Sequence, residues 1–279
     1  MPGPISHDNT NKSSFLHTLI SSAFGGAGGA FAAFPAENLK KNFQRGALRT
    51  SDIINLANGK FFNALKPTQL YRGASSFSAS VMMASTTSIS LNKLIQLLPF
   101  YDSSSKLHEL AAAICSGMLG AIVGSTPVEN IILTQQKLST GPIPAIKHLL
   151  KQGITRPWAG LPELMAREGG FTGVMLFAGP SARKLTFDKT HNTQLSIIAE
   201  LAAGAAGSLL TQPFDTIATY RQERDGKIPL KTTIINMYKE NGVLRFYRGG
   251  IPRIILFTIC SISIPRFAEK ISFFLDDRV

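Results

Sequence analysis

Three carboxylates of this chain stand in one recurring setting. Glu37, Glu129 and Asp215 each follow a proline by two residues. Each proline is followed nine residues on by a glutamine: Pro35 with Gln44, Pro127 with Gln136, Pro213 with Gln222. Five residues after the prolines stand Lys40, Ile132 and Ala218, so only the first set carries a base there. Self-similarity at a fixed long period says that the chain is three copies of one unit. The signals of catalysis are missing. There is no Gly-x-Ser-x-Gly elbow and no Gly-x-x-x-x-Gly-Lys phosphate loop. The five histidines are isolated, with no metal-ligand spacing. Cys115 and Cys260 lie in apolar helical stretches, as buried thiols do, rather than forming a disulfide framework. The expectation is no enzyme, no cofactor and no metal.

The prolines recur about every 90 residues, a period far longer than that of a solenoid and long enough for several elements per copy. Ten and six residues before each proline stand small residues: Gly25 and Gly29, Gly117 and Ala121, Ala203 and Gly207. That spacing lets helix backbones approach closely in lipid. Downstream each copy has an aromatic, one residue and glycine: Tyr71-Arg72-Gly73, Trp158-Ala159-Gly160, Tyr247-Arg248-Gly249. Each copy reads as a long helix, a polar connection with a short amphipathic helix, and a second long helix. Long helices are expected over about 14–45, 70–98, 106–138, 161–187, 194–224 and 251–275, and short ones over about 51–58, 143–151 and 230–239. Proline inside the first long helix of a copy removes a backbone donor and kinks it. Residues 1–14 are expected to be a polar tail without the apolar core of a signal peptide.

The composition fits spans that have lipid on one side only. Hydrophobic residues make up 44% and charged residues 16%. Mean hydropathy is +0.11, low for a membrane protein. There is no run of 18 purely apolar residues, which is the pattern of helices whose inner face lines a polar cavity. The net charge of +12 suits a solvated surface, an interface with anionic lipid, or attraction of an anionic solute. It does not point to nucleic acid: the bases are spread over all three copies, with no basic helix and no aromatic sheet motif.

These residues together resemble the mitochondrial carrier family. Its signature is Pro-x-[Asp/Glu]-x-x-[Lys/Arg], a glutamine nine residues after the proline, an acid-Gly element and an aromatic-basic-Gly element. The resemblance runs from about Ser14 to Asp276. Gln152-Gly153 and Asn241-Gly242 occupy the acid-Gly positions. It implies an all-α fold: six transmembrane helices in three tandem helix–short helix–helix repeats around a central cavity, with pseudo-threefold symmetry. Residues 15–279 then form one carrier domain, with repeats at about 15–100, 105–188 and 191–277. It also implies multi-pass residence in the mitochondrial inner membrane, termini on the intermembrane-space side and short helices in the matrix. Another organelle membrane, or a host's mitochondrion for a gene carried by a pathogen, stays open. The implied partners are a small-molecule solute and anionic, cardiolipin-like lipid, with no nucleic acid and a monomeric state.

In that family the acid after each proline pairs with a base of the next repeat and closes the matrix side. The implied inner gate here is Glu37, Lys40, Glu129 and Asp215 with Gln44, Gln136 and Gln222. Asp215 can pair with Lys40, whereas Glu37 and Glu129 meet Ile132 and Ala218 and are expected as solvated acids. The opposite gate is reduced to Gln96, Arg183 and Glu269, with Lys93 facing Arg183 as a like charge. Counting from the aromatic-element glycines, the family's solute positions fall on Ser80, Arg167 and Leu256. Glu168 adjoins Arg167, and Arg253 lies one turn nearer the inner gate. Arginine's planar fork suits a carboxylate or phosphate, and Glu168 suits an ammonium. The implied activity is movement of an amino-acid-like or carboxylate solute by alternating access. A nucleotide of the ATP/ADP type, or a carrier-fold adaptor that no longer transports, are the alternatives.

Overall fold

The computed structural model describes residues 7–48, 73–99 and 104–260, with positions 66, 71, 101, 102 and 271. Helix α1 is His7–Arg45 and α2 is Ala74–Gln96. Helix α3, Lys106–Leu138, runs through a π-helical turn at Ala121–Ser125. The short α4 is Pro142–Lys151. Helix α5 (161–190) joins Leu161–Gly173 to Gly179–Thr190 through a second π turn at Val174–Ala178. Helix α6 is Thr193–Glu223, the short α7 is Leu230–Asn241, and α8 covers 250–260. The described residues of the expected spans are helical except at the ends of two of them, at 71, 73, 97, 98 and 224. Two departures have local causes. Helix α1 begins at His7, inside the expected polar tail, where no glycine or proline stands between Pro4 and Gly25 to interrupt it. The π turn of α3 lies just before Pro127 and takes up the register that this proline would otherwise break. The expected helix at 51–58, Arg72, and the continuation of α8 beyond 260 lie outside the described residues.

The burial pattern is the reverse of a water-soluble domain. Lys40, Lys41, Glu37, Asp215, Gln44 and Gln212 are buried. Large apolar side chains such as Leu119, Val123, Ile198, Leu210 and Ile251 are exposed. Helices α3 and α6 are long and apolar enough to cross a membrane by length and composition. In a bilayer the exposed apolar side chains meet lipid, so the polar interior is what the fold has to organise.

Three glycines close the ring of helices. Gly73, Gly160 and Gly249 open α2, α5 and α8 with φ of 94°, 79° and 83°. Only glycine adopts these values without strain. Gly73 of the first repeat faces Ile132 of the second; Gly160 of the second faces Ala218 of the third; Gly249 of the third faces the Lys40 carbonyl of the first. The same contact thus runs cyclically from each repeat to the next, and the last returns to α1. A second contact repeats likewise. Arg156 donates to the backbone oxygen of Gln222 at 2.7 Å, and Arg245 to that of Gln44 at 3.0 Å. Each arginine bonds a carbonyl near the C-terminal end of the next repeat's first helix, where positive charge is favoured.

Candidate functional site

The kinked helices bring the three acids to one level of the interior. Lys40 Nζ lies 3.2 Å from Asp215 and 2.7 Å from Glu37. Lys41 Nζ lies 2.9 Å from Glu129 and also bonds Thr219 at 3.1 Å. Arg167 divides its fork: Nη1 reaches Asp215 and Nη2 reaches Glu129, each at 2.5 Å. The same Nη2 pairs with Glu168. Arg253 lies 3.1 Å from Asp215 and donates to Thr211 at 2.8 Å. Four carboxylates and four bases therefore make one connected cluster of zero formal charge. Asp215 is at its centre, fully buried and shared by Lys40, Arg167 and Arg253.

This cluster is the floor of a cavity of about 230 Å³. Glu37, Lys40, Glu129, Arg167, Glu168 and Arg253 line the bottom. Ser80 and Phe77 of α2, Phe171 and Thr172 of α5, and Leu256 and Cys260 of α8 form the walls, which rise to Ser88 and Leu176. Ser80, Arg167 and Leu256, found by counting from three different glycines, thus face a common space. The cavity is closed at the proline level. At the opposite end Gln96 and Arg183 are exposed.

A family model described as mitochondrial carrier protein matches residues 189–264. The mitochondrial 2-oxodicarboxylate carrier 2 of Saccharomyces cerevisiae is 25% identical over 97% of this chain and 98% of its own length. The mitochondrial glycine transporter of Xenopus tropicalis is 30% identical over 41% of this chain and 40% of its own. The chloroplastic thylakoid ADP,ATP carrier protein of Arabidopsis thaliana is 33% identical over 43% of this chain and 29% of its own. The chain is similar to the mitochondrial carrier family, through the family model over its third repeat and through the yeast relative over nearly its whole length. It is a transport protein of the mitochondrial inner membrane and not an enzyme.

In this carrier the acids without family partners are not solvated. Glu37 and Glu129 are only 4% and 6% exposed, and both are ion-paired. The expectation of two unpartnered acids fails because Lys41 and Arg167 supply the missing charge. Lys41 stands one residue beyond the family's base position, on the face of α1 that meets α3 and α6. Its signal in the sequence was the doubled lysine, Lys40-Lys41. The pair formed by Arg156 and Arg245 was also missed. Each stands two residues before the aromatic of its repeat, and that recurrence could have revealed it.

The glutamines divide. Gln44 donates to Asp215 and accepts from Thr219 at 3.1 Å, so it braces the cluster. Gln136 instead accepts from Arg45 at 3.0 Å, while Arg45 also pairs with Glu223 at 2.8 Å. The Gln222 side chain donates to the Ala159 carbonyl at 3.3 Å. Neither touches an acid of the floor; both sit one layer below it. At the open end Arg183 pairs with Glu200 of α6 at 3.3 Å. Glu269 lies outside the described residues, so its expected bond to Gln96 does too. Below the floor, burial pushes the Glu240 carboxyl up, but hydrogen bonds from Arg245 and Tyr220 outweigh it and hold the group below its usual range.

Proposed function

We propose that this carrier moves a small charged solute by alternating access, and that the solute is amino-acid-like or a carboxylate. The observation that carries the proposal is the adjacent Arg167 and Glu168 in the cavity floor. They offer one site for a carboxylate and one for an ammonium within a single residue step. Ser80 and Arg253 complete the site from α2 and α8. The ion cluster on the matrix side is the inner gate, with Glu37, Lys40, Glu129, Asp215 and Gln44 as its members; Gln96, Arg183 and Glu269 belong to the outer side. The full-length relative is named for a 2-oxodicarboxylate and a partial one for glycine, which span the same two chemistries.

A nucleotide is the second reading, because one partial relative is named for ADP and ATP. Against it, the third solute position is the apolar Leu256. The exposed Lys147, Lys151, Lys227, Lys231 and Lys239 around the short helices suit anionic lipid headgroups of the cardiolipin type, and the carrier acts as a monomer.

The test is counterflow in liposomes with panels of amino acids, carboxylates and nucleotides. A charge-assisted bond lost in Arg167→Ala lowers affinity by roughly 30-fold or more. Near-normal uptake by that variant, or exchange confined to nucleotides, overturns the reading.

A further inference from the structure

The inner gate lacks bases at two of its three family positions, Ile132 and Ala218, yet the structure is closed there. What closes it is asymmetric. Glu129 is held by Lys41 from the first repeat and by Arg167 from the second. Asp215 of the third repeat is held by Lys40 and, again, by Arg167. Among the described residues that line the cavity, Arg167 alone bonds acids of both the second and third repeats.

We propose that Arg167 and Lys41 are the lock of the inner gate, and that the solute releases it by taking Arg167 from Glu129 and Asp215. The proposal rests on the solute reading above. Both terminal nitrogens of Arg167 are occupied. A solute carboxylate that takes the end-on fork, across both terminal nitrogens, displaces gate carboxylates from it. Binding and unlocking are then one exchange of partners: the free energy of the new pair offsets the loss of the old ones. In a gate with bases at all three family positions the two sets of residues are separate. Here one arginine belongs to both, so an empty carrier stays locked and a loaded one does not. Lys41 has the other half of the task. It keeps Glu129 paired once Arg167 has left, so the displaced acid is not stranded in a dry site.

The solute's second charge follows from the balance of the cluster. A carboxylate alone leaves the neutral cluster with one surplus negative charge. An ammonium on the same solute, set against the Glu168 that Arg167 has left, restores neutrality.

Ala218 is the reporter of opening. It is fully buried against Gly160, where α5 meets α6. Replacing both native cysteines by serine and introducing Ala218→Cys gives a single thiol that a water-soluble maleimide reaches only when the gate parts. The full chain is labelled in detergent, with and without glycine, and with propionate as the uncharged-tail counterpart. Lys41→Gln and Arg167→Gln should each raise labelling of the empty carrier by about tenfold. Glycine should raise it in the carrier with Arg167 and not in Arg167→Gln, and propionate should do less. Arg167→Lys keeps one charge without the fork, so it should give an intermediate rate even if Arg167→Gln folds poorly. Unchanged labelling of the empty Lys41→Gln and Arg167→Lys variants overturns the lock. If those rates rise but neither glycine nor propionate acts, the lock stands and the solute reading fails.

Discussion

A double-substitution cycle on Arg167 and Glu129 tests whether the charges of the floor act as one unit. The two side chains lie 2.5 Å apart and are only 8% and 7% exposed. Arg167→Ala leaves four carboxylates facing three bases. Breaking a buried pair by removing one partner costs about 3–5 kcal/mol. The lower figure applies, because Glu129 keeps Lys41 and Asp215 keeps Lys40 and Arg253. A loss of about 3 kcal/mol lowers Tm by roughly 6–12 °C in a chain of this size. Glu129→Gln alone strands the opposite charge and also destabilises. The double variant returns the cluster to three acids and three bases. Its loss should fall short of the sum by more than about 0.5 and up to about 3 kcal/mol, the range for residues in one network. The assay is thermal unfolding of the purified carrier in detergent at neutral pH and low salt. Sums that agree to within about 0.5 kcal/mol would mean that the two residues do not share a network, and the account of the floor would be wrong.

Glu168→Gln should weaken solutes that carry an ammonium and spare plain carboxylates in the same binding assay; equal loss for both makes Glu168 structural. Gly249→Ala should destabilise more than Gly160→Ala. Both give up a left-handed conformation at about 1–2 kcal/mol, but at 249 the new methyl lies 2.9 Å from the Lys40 carbonyl, against 3.4 Å or more at 160. Tm values that fall equally would show that the inter-repeat contact is loose. Ala218→Arg restores the family's base, and on sequence alone it should tighten the gate by giving Glu129 a partner. The structure reverses the sign: Glu129 already has two bases, so a fifth positive charge should lower Tm and raise net uptake into solute-free liposomes. Slower net uptake with exchange preserved would show instead that Glu129 is underpaired.

The repeat architecture was legible because it rests on backbone requirements that recur. Proline inside a long apolar-periodic helix, small residues at fixed offsets before it, and glycine after an aromatic each constrain the chain locally, and each appears in all three copies. The structure gives the glycines their reason: a positive φ and a neighbouring repeat's gate position against each one. The π turns were not legible. They depend on how α3 and α5 accommodate strain through their whole length, which no short pattern records.

The gate was legible in position and not in pairing. A sequence motif assigns each charge a helix face, and the family's pattern assigns each acid one base from the next repeat. Side chains as long as lysine and arginine can cross that assignment. Lys41 extends from the neighbouring position of α1 to Glu129, and Arg167 extends downward from the solute level to two acids at once. Such reach carries no periodic signal. What the sequence did contain was a charge count. With Ile132 and Ala218 in place of bases, the three gate acids had one matching base. Buried carboxylates do not persist uncompensated, so the missing positive charge had to come from elsewhere in the interior. The remaining intramembrane bases at that level are Lys41, Arg167 and Arg253, and together with Glu168 they bring the total to zero. Neutrality of a dry site is therefore a stronger constraint on this carrier than the motif that drew attention to it. It also links the solute to the gate, because any charge that enters the cavity must be balanced by the same few groups that hold it shut.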